Sequence, residues 1–217
     1  MISIVLENRK YRRIQAIFLL LLFSFPVQAQ EDTPNAKQAR RIFETAFDRV
    51  FGSEGSRLKY DVNIVGIFKT NGRIWLKEKK MRTSDRRVDT WSDGQKYYKA
   101  IRKKKTVEIY DPNSDKKDKY ASRFKFTLDD FRYSISKESG GLLITLKQKK
   151  KAKGTIKEVK ALLTPDTYAP IRLRIKVAFI WTTIKISDFH AGNISDDVFV
   201  FPRSKYAAEG WKFENVD

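Results

Sequence analysis

The residues of this chain able to carry acid–base or metal chemistry are few. There is one histidine, His190, and there are two adjacent carboxylate pairs, Asp129-Asp130 and Asp196-Asp197. His190 sits in the run DFHAGN, whose Gly and Asn predict a turn and a surface position. Both Asp pairs fall in or near turns, where a carboxylate ordinarily accepts from backbone N–H groups. Cysteine is absent, which removes disulfides, thiol nucleophiles and thiolate metal sites together. No HExxH, GxSxG, P-loop or paired-glycine nucleotide motif occurs. The expectation is a protein that is not an enzyme and has no cofactor and no metal site.

What the chain has in excess is positive charge and apolar surface. Lys and Arg number 45 against 26 Asp and Glu, a formal charge of +19. Two basic runs stand out, Lys96–Lys105 (KYYKAIRKKK) and Lys147–Lys153 (KQKKKAK). The first interleaves cations with aromatics, a pattern that also suits single-stranded nucleic acid. The second reads as an exposed hairpin end.

The N-terminus settles which partners are expected. Lys10, Arg12 and Arg13 precede the apolar run Ala16–Phe25, and Pro26 ends it. Val27-Gln28-Ala29 then supplies the small residues of a cleavage site, so residues 1–29 are expected to be a signal peptide cut at Ala29/Gln30. The run is short for a bilayer span, which needs about 20 residues. The expected mature part, residues 30–217, is one domain placed in the periplasm, so the charge either serves solubility alone or meets anionic lipid or an acidic partner, with no nucleic acid. With no cysteine to carry a lipid anchor, the mature protein is expected to diffuse freely as a monomer.

The elements follow from the spacing of apolar residues. Thr33 and Pro34 open a helix on which Ala39, Ile42, Phe43, Ala46, Phe47 and Val50 share one face. Gly52 stands where that helix should end. Beyond it the period falls to two: Leu58, Tyr60, Val62 and Ile64 alternate with polar residues, and Ile74 and Leu76 do so after Asn71-Gly72. Asn71-Gly72 and Asp93-Gly94 both predict tight hairpin turns. Further strands are expected at Val88–Ser92, Lys96–Ile101, Thr106–Tyr110, Tyr133–Ser136, Gly141–Gln148, Ile156–Leu163 and Ile171–Val177, then around Ile184 and Ile186, and over residues 198–202, followed by a polar tail that holds Trp211 and Phe213. Residues 111–123 read as a polar loop, and residues 124–131 as a short helix or turn. The turn near residues 178–183 lacks the usual polar residues, which marks Phe179, Ile180 and Trp181 as a possible mouth contact for lipid or a partner.

One helix followed by a long meander is an α+β arrangement. It predicts a curled sheet or an incomplete barrel, with the N-terminal helix covering its concave face. If the helices only partly fill that space, an apolar cavity results. Its expected lining is Phe43 and Phe47 from the helix, with Leu58, Tyr60, Val62, Ile64, Ile74, Leu76, Trp91, Leu173 and Ile175 from the strands.

In order along the chain, Gly-x-Ile-Trp-Leu-Lys (72–77), Ser-Asp-Gly (92–94), Tyr-Asp-Pro (110–112) and Phe-x-Phe-Pro (199–202) resemble the periplasmic outer-membrane lipoprotein carrier proteins. The resemblance implies an unclosed antiparallel β-barrel, a strongly curved sheet whose concave face is covered by the N-terminal helix and a short helical lid, and whose interior shields acyl chains. It also implies cargo lipoproteins, an inner-membrane lipoprotein-releasing transporter and an outer-membrane acceptor. In the family an arginine follows the Trp-apolar-Lys and latches the lid. Here that position is Glu78, and Arg82 is the nearby residue that could take the latch role. The alternative reading is a basic adaptor that docks an acidic partner or envelope polymer and carries no lipid.

Overall fold

The structure, a computed structural model, describes residues 33–64, 68–111 and 127–216, with the side chains of residues 63, 64 and 68 left aside. The expected signal peptide, most of the expected polar loop at 111–123 and the Ile64 side chain lie outside it.

Helix α1 (Pro34–Phe51) begins at the proline whose fixed φ suits a first helical position. Ala36, Ala39, Ile42, Phe43 and Ala46 recur at helical spacing and form its buried stripe. Among the described residues twelve strands follow and join one sheet. They are β1 (Ser56–Ile64), β2 (Phe68–Lys77), β3 (Lys80–Asp85), β4 (Val88–Ser92), β5 (Tyr97–Ile101), β6 (Thr106–Tyr110), β7 (Phe131–Glu138), β8 (Gly141–Gln148), β9 (Ile156–Leu163), β10 (Pro170–Val177), β11 (Ile180–Ala191) and β12 (Lys212–Asn215). Their order is β12-β6-β5-β4-β3-β2-β1-β11-β10-β9-β8-β7. All neighbours are antiparallel except β12 and β6. The end strands β12 and β7 do not pair with each other, so the curved sheet stays unclosed, as expected from the sequence.

Alternation along the strands separates two faces. On the face under α1, Ile42, Phe43 and Ala46 pack with Tyr133, Ile144, Leu146, Val159 and Leu163. On the other face Trp91, Ala100 and Val107 pack with Phe201 and Tyr206, which come from a C-terminal segment holding the short helix α2 (Arg203–Ala208). The 3-10 turn Leu128–Asp130 lies beside α1, where Arg40 binds Asp129 at 2.6 Å.

The helix is tied at both ends. The Asn35 amide donates to the Ile135 carbonyl (2.9 Å) and accepts from the Ile135 N–H (3.0 Å), so a helix side chain pairs with the free edge of β7. At the other end the Ser56 hydroxyl donates to Val50 O at 2.8 Å. Glu78 N–H donates to Phe51 O at 2.7 Å, and the Arg49 guanidinium donates to the Thr167 carbonyl.

Four expectations are corrected. Asn71-Gly72 is not a turn: it lies inside β2, opposite Asp61 and Tyr60. The glycine makes room instead, since a Cβ there would stand 2.7 Å from the Tyr60 hydroxyl and closer still to the Ser84 carbonyl. Residues 198–202 are not a strand: a 3-10 turn (Asp196–Phe199) and α2 bracket the connection, and Phe201 and Tyr206 pack on the sheet. The tail read as polar forms β12, with Phe213 on the aromatic cluster. His190 belongs to β11 opposite Arg57, not to a turn, although it is exposed. Strand β3 had no expectation attached to it, since Lys80–Asp85 carries one large apolar residue, Met81.

Candidate functional site

Between α1 and the sheet lies a cavity of about 620 Å³. Phe43, Ala46, Phe47, Val50 and Phe51 of α1 form its roof. Its floor is built from alternate residues of neighbouring strands, which is what alternation requires of one face. Leu58, Tyr60 and Val62 come from β1, Ile74 and Leu76 from β2, and Thr83 from β3. Leu173 and Ile175 of β10 face Ile184 of β11 and Val159 of β9 in the ladder. Among the described residues no charged side chain lines the cavity. Phe51, 37% exposed, carries the apolar lining out to the surface.

Two polar groups reach this lining. The Thr83 hydroxyl is bonded to that of Thr90 at 2.6 Å, so its hydrogen-bonding need is met within the sheet. The Tyr60 phenol has its pKa pushed up to about 12, by burial first and by the charge of Asp85 second. It therefore stays neutral at any physiological pH, and the described lining has no ionised group to offer. Such a surface can bury apolar matter.

Of the eleven residues expected to line a cavity, nine are brought together here: Phe43, Phe47, Leu58, Tyr60, Val62, Ile74, Leu76, Leu173 and Ile175. Trp91 is placed elsewhere, on the opposite face, edge-on to Phe201 at 5.3 Å. The reason is parity, because Trp91 pairs across the ladder with Arg82 while its neighbour Thr90 pairs with the cavity residue Thr83. Arg82 shares the fate of Trp91. Its guanidinium lies 4.8 Å from the Trp75 ring and 5.4 Å from Trp91, on the face away from α1. At the position of the family's arginine, the backbone N–H of Glu78 holds the end of α1. Phe179, Ile180 and Trp181 lie at the β10–β11 hairpin tip, outside the cavity lining.

Ile156, Val159, Ala161, Leu163, Pro170, Ile184 and Ile186 also line the cavity. Ile184 and Ile186 could have been found, since they alternate with Lys185 and Ser187. In β9 the run Ala161-Leu162-Leu163 is apolar on both faces and hides its parity.

The carboxylate pairs serve local structure. Asp129 binds Arg40, and Asp196 binds Lys77 (3.0 Å) and Lys80 (2.8 Å). Hydrogen bonds from Lys80 and Lys77 hold the Asp196 carboxyl below its ordinary pKa. Among the described residues no group of three His, Asp or Glu is placed to hold a metal ion.

No protein-family model matches the chain, and no curated protein matches it. Solved structures do. The chain is similar to an uncharacterised conserved protein from Thermus thermophilus, at 10% identity and TM-score 0.56, over 82% of this chain and 99% of that one. Lesser likenesses are to a LolA superfamily protein from Nitrosomonas europaea (9% identity, TM-score 0.40, 76% and 98% covered) and to lipoprotein LppX of Mycobacterium tuberculosis (10%, 0.44, 73% and 99%). At such identities the Thermus likeness is one of fold. The fold it shares is the unclosed barrel that the sequence resemblance implies.

Proposed function

We propose that this chain is an exported carrier that shields the acyl chains of lipoproteins between the inner and outer membranes. Residues 1–29 act as a cleaved signal peptide, and residues 30–217 form one carrier domain free in the periplasm as a monomer. It takes cargo from an inner-membrane releasing transporter and yields it to an outer-membrane acceptor. The observation that carries this reading is the cavity of about 620 Å³, whose described lining is apolar and uncharged. Its volume falls in the ~300–1,000 Å³ range of sites that hold small ligands. An acyl chain gains about 0.8 kcal/mol per methylene moved out of water, so a dry groove holds lipid firmly without a polar contact.

The test is to extract lipid from the purified protein and to titrate it with a fluorescent acyl probe. Leu76→Arg places a cation in the floor and should abolish probe binding, while Lys77→Ala, on the other face, should not. Wild-type protein that neither carries lipid nor binds the probe overturns the reading. The exposed side chains of Lys147, Lys150, Lys151 and Lys153 favour a second reading, an adaptor for an acidic partner or envelope polymer. That reading predicts salt-sensitive binding lost on neutralising those lysines, with no lipid in the preparation.

A further inference from the structure

Phe179 is 85% exposed, the most exposed large apolar side chain among the described residues. It stands in the two-residue turn Ala178-Phe179 at the tip of the β10–β11 hairpin. Ala178 there takes φ +52, a conformation that Gly or Asn adopts at less cost. Chain reversal alone therefore calls for neither residue. Beside the tip Ile180 is 37% exposed, and Trp181 follows it. The Trp181 ring is surrounded by cations: Arg174 at 4.7 Å, Lys160 at 5.7 Å and Lys176 at 5.8 Å. Lys160 also meets Glu158 at 3.5 Å.

An apolar tip, a tryptophan behind it, and cations beside that ring (Lys176) and behind it (Arg174, Lys160) is the order in which a lipid surface presents acyl chains, headgroup boundary and phosphates. A soluble acidic partner would match the cations yet need a pocket for Phe179, whereas a bilayer accepts an apolar tip without one. We propose that the β10–β11 hairpin docks the protein on an anionic bilayer, with Phe179 inserted, Trp181 at the headgroup level, and Lys160, Arg174 and Lys176 on lipid phosphates. The contact is weak and reversible, since a single apolar side chain and a few cations do not anchor a protein. Ile175 and Ile184, which wall the cavity, lie within about 15 Å of the tip along the same strands. Docking therefore brings the cavity up to the bilayer. The inference does not depend on what the cavity holds.

The test is flotation of the processed protein with vesicles of phosphatidylcholine alone or with added phosphatidylglycerol. The protein should float with the anionic vesicles, less so as salt is raised, and not with phosphatidylcholine alone. Phe179→Asp should lower the partition about tenfold or more, and Phe179→Leu should keep it. Arg174→Gln with Lys176→Gln should lower it severalfold. Every variant should keep wild-type affinity for the acyl probe, so a missing probe signal with intact vesicle binding counts against the cavity reading alone. Equal partition into both vesicle types overturns the proposal. So does salt-sensitive binding unchanged in Phe179→Asp, which would mark the patch as a site for acidic polymers.

Discussion

Phe201 and Phe47 are both aromatic side chains laid over the sheet by a segment near one end of the chain, and their surroundings differ. Phe201 stacks on Tyr98 at 4.5 Å and also meets Tyr206 (5.1 Å), Trp91 (5.3 Å) and Phe213 (6.3 Å). Phe47 has its ring neighbours on its own helix, Phe43 (6.3 Å) and Phe51 (4.6 Å), and lines the cavity. The chain thus has side chains large enough to fill a sheet face and does so on one side. On the other it leaves unmade the dispersion contacts that a lined void forgoes. The hollow face cannot be put down to a shortage of large residues.

The sharpest way to separate the two faces is Phe201→Ala. Truncating a buried ring should cost about 3–5 kcal/mol in urea unfolding while the folded protein keeps its affinity for an acyl probe. A folded variant that loses the probe would break the comparison, because it would couple the two faces. Gly72→Ala should come next, at about 1–3 kcal/mol. Its methyl group presses on Tyr60 and on the Ser84 carbonyl, so probe affinity should fall with the melting temperature. Leu173→Ala should cost only about 1 kcal/mol, below the 2–5 of a solid core, because its side chain already borders empty space. A full-core cost measured in lipid-free protein would show that the void collapses in solution.

The smallest effect is one of pH, and both faces share it. Tyr60 on the hollow face and Tyr206 on the filled face have pKa values pushed up from 10 to about 12, each mainly by burial. Their folded values lie above their unfolded ones, so the stability they contribute is complete below pH 10. It is lost as pH rises from 10 through about 12. The urea midpoint should decline across that window, and Tyr60→Phe or Tyr206→Phe should each flatten the decline. An unchanged slope in Tyr206→Phe would show that its phenol is solvated.

Much of this could be read before any coordinates. The apolar stripe of α1 and the strands Val88–Ser92, Thr106–Tyr110, Gly141–Gln148 and Ile156–Leu163 are written locally, as period and punctuation. What failed depended on contacts distant in sequence. Asn71-Gly72 has the composition of a turn, yet its glycine answers to Tyr60 across the ladder. Trp91 and Arg82 look like core and latch, but a one-residue difference in parity sends both to the other face. Val198–Phe201 has a strand's composition and is instead a connection that delivers rings to β4 and β5. The cavity was legible where apolar and polar residues alternate strictly, as in β1, β2 and β10. In β9 residues 161–163 are buried on both faces, and there the pattern is silent.

The pairing of Asn35 with Ile135 has a consequence for crowding. Strand β7 is an end of the sheet, and an open edge is a template on which a second molecule can add its own strand. The amide of Asn35 fills both hydrogen-bonding positions of Ile135 from the side. A second strand cannot pair with β7 at Ile135 while the Asn35 amide holds both of its hydrogen-bonding groups.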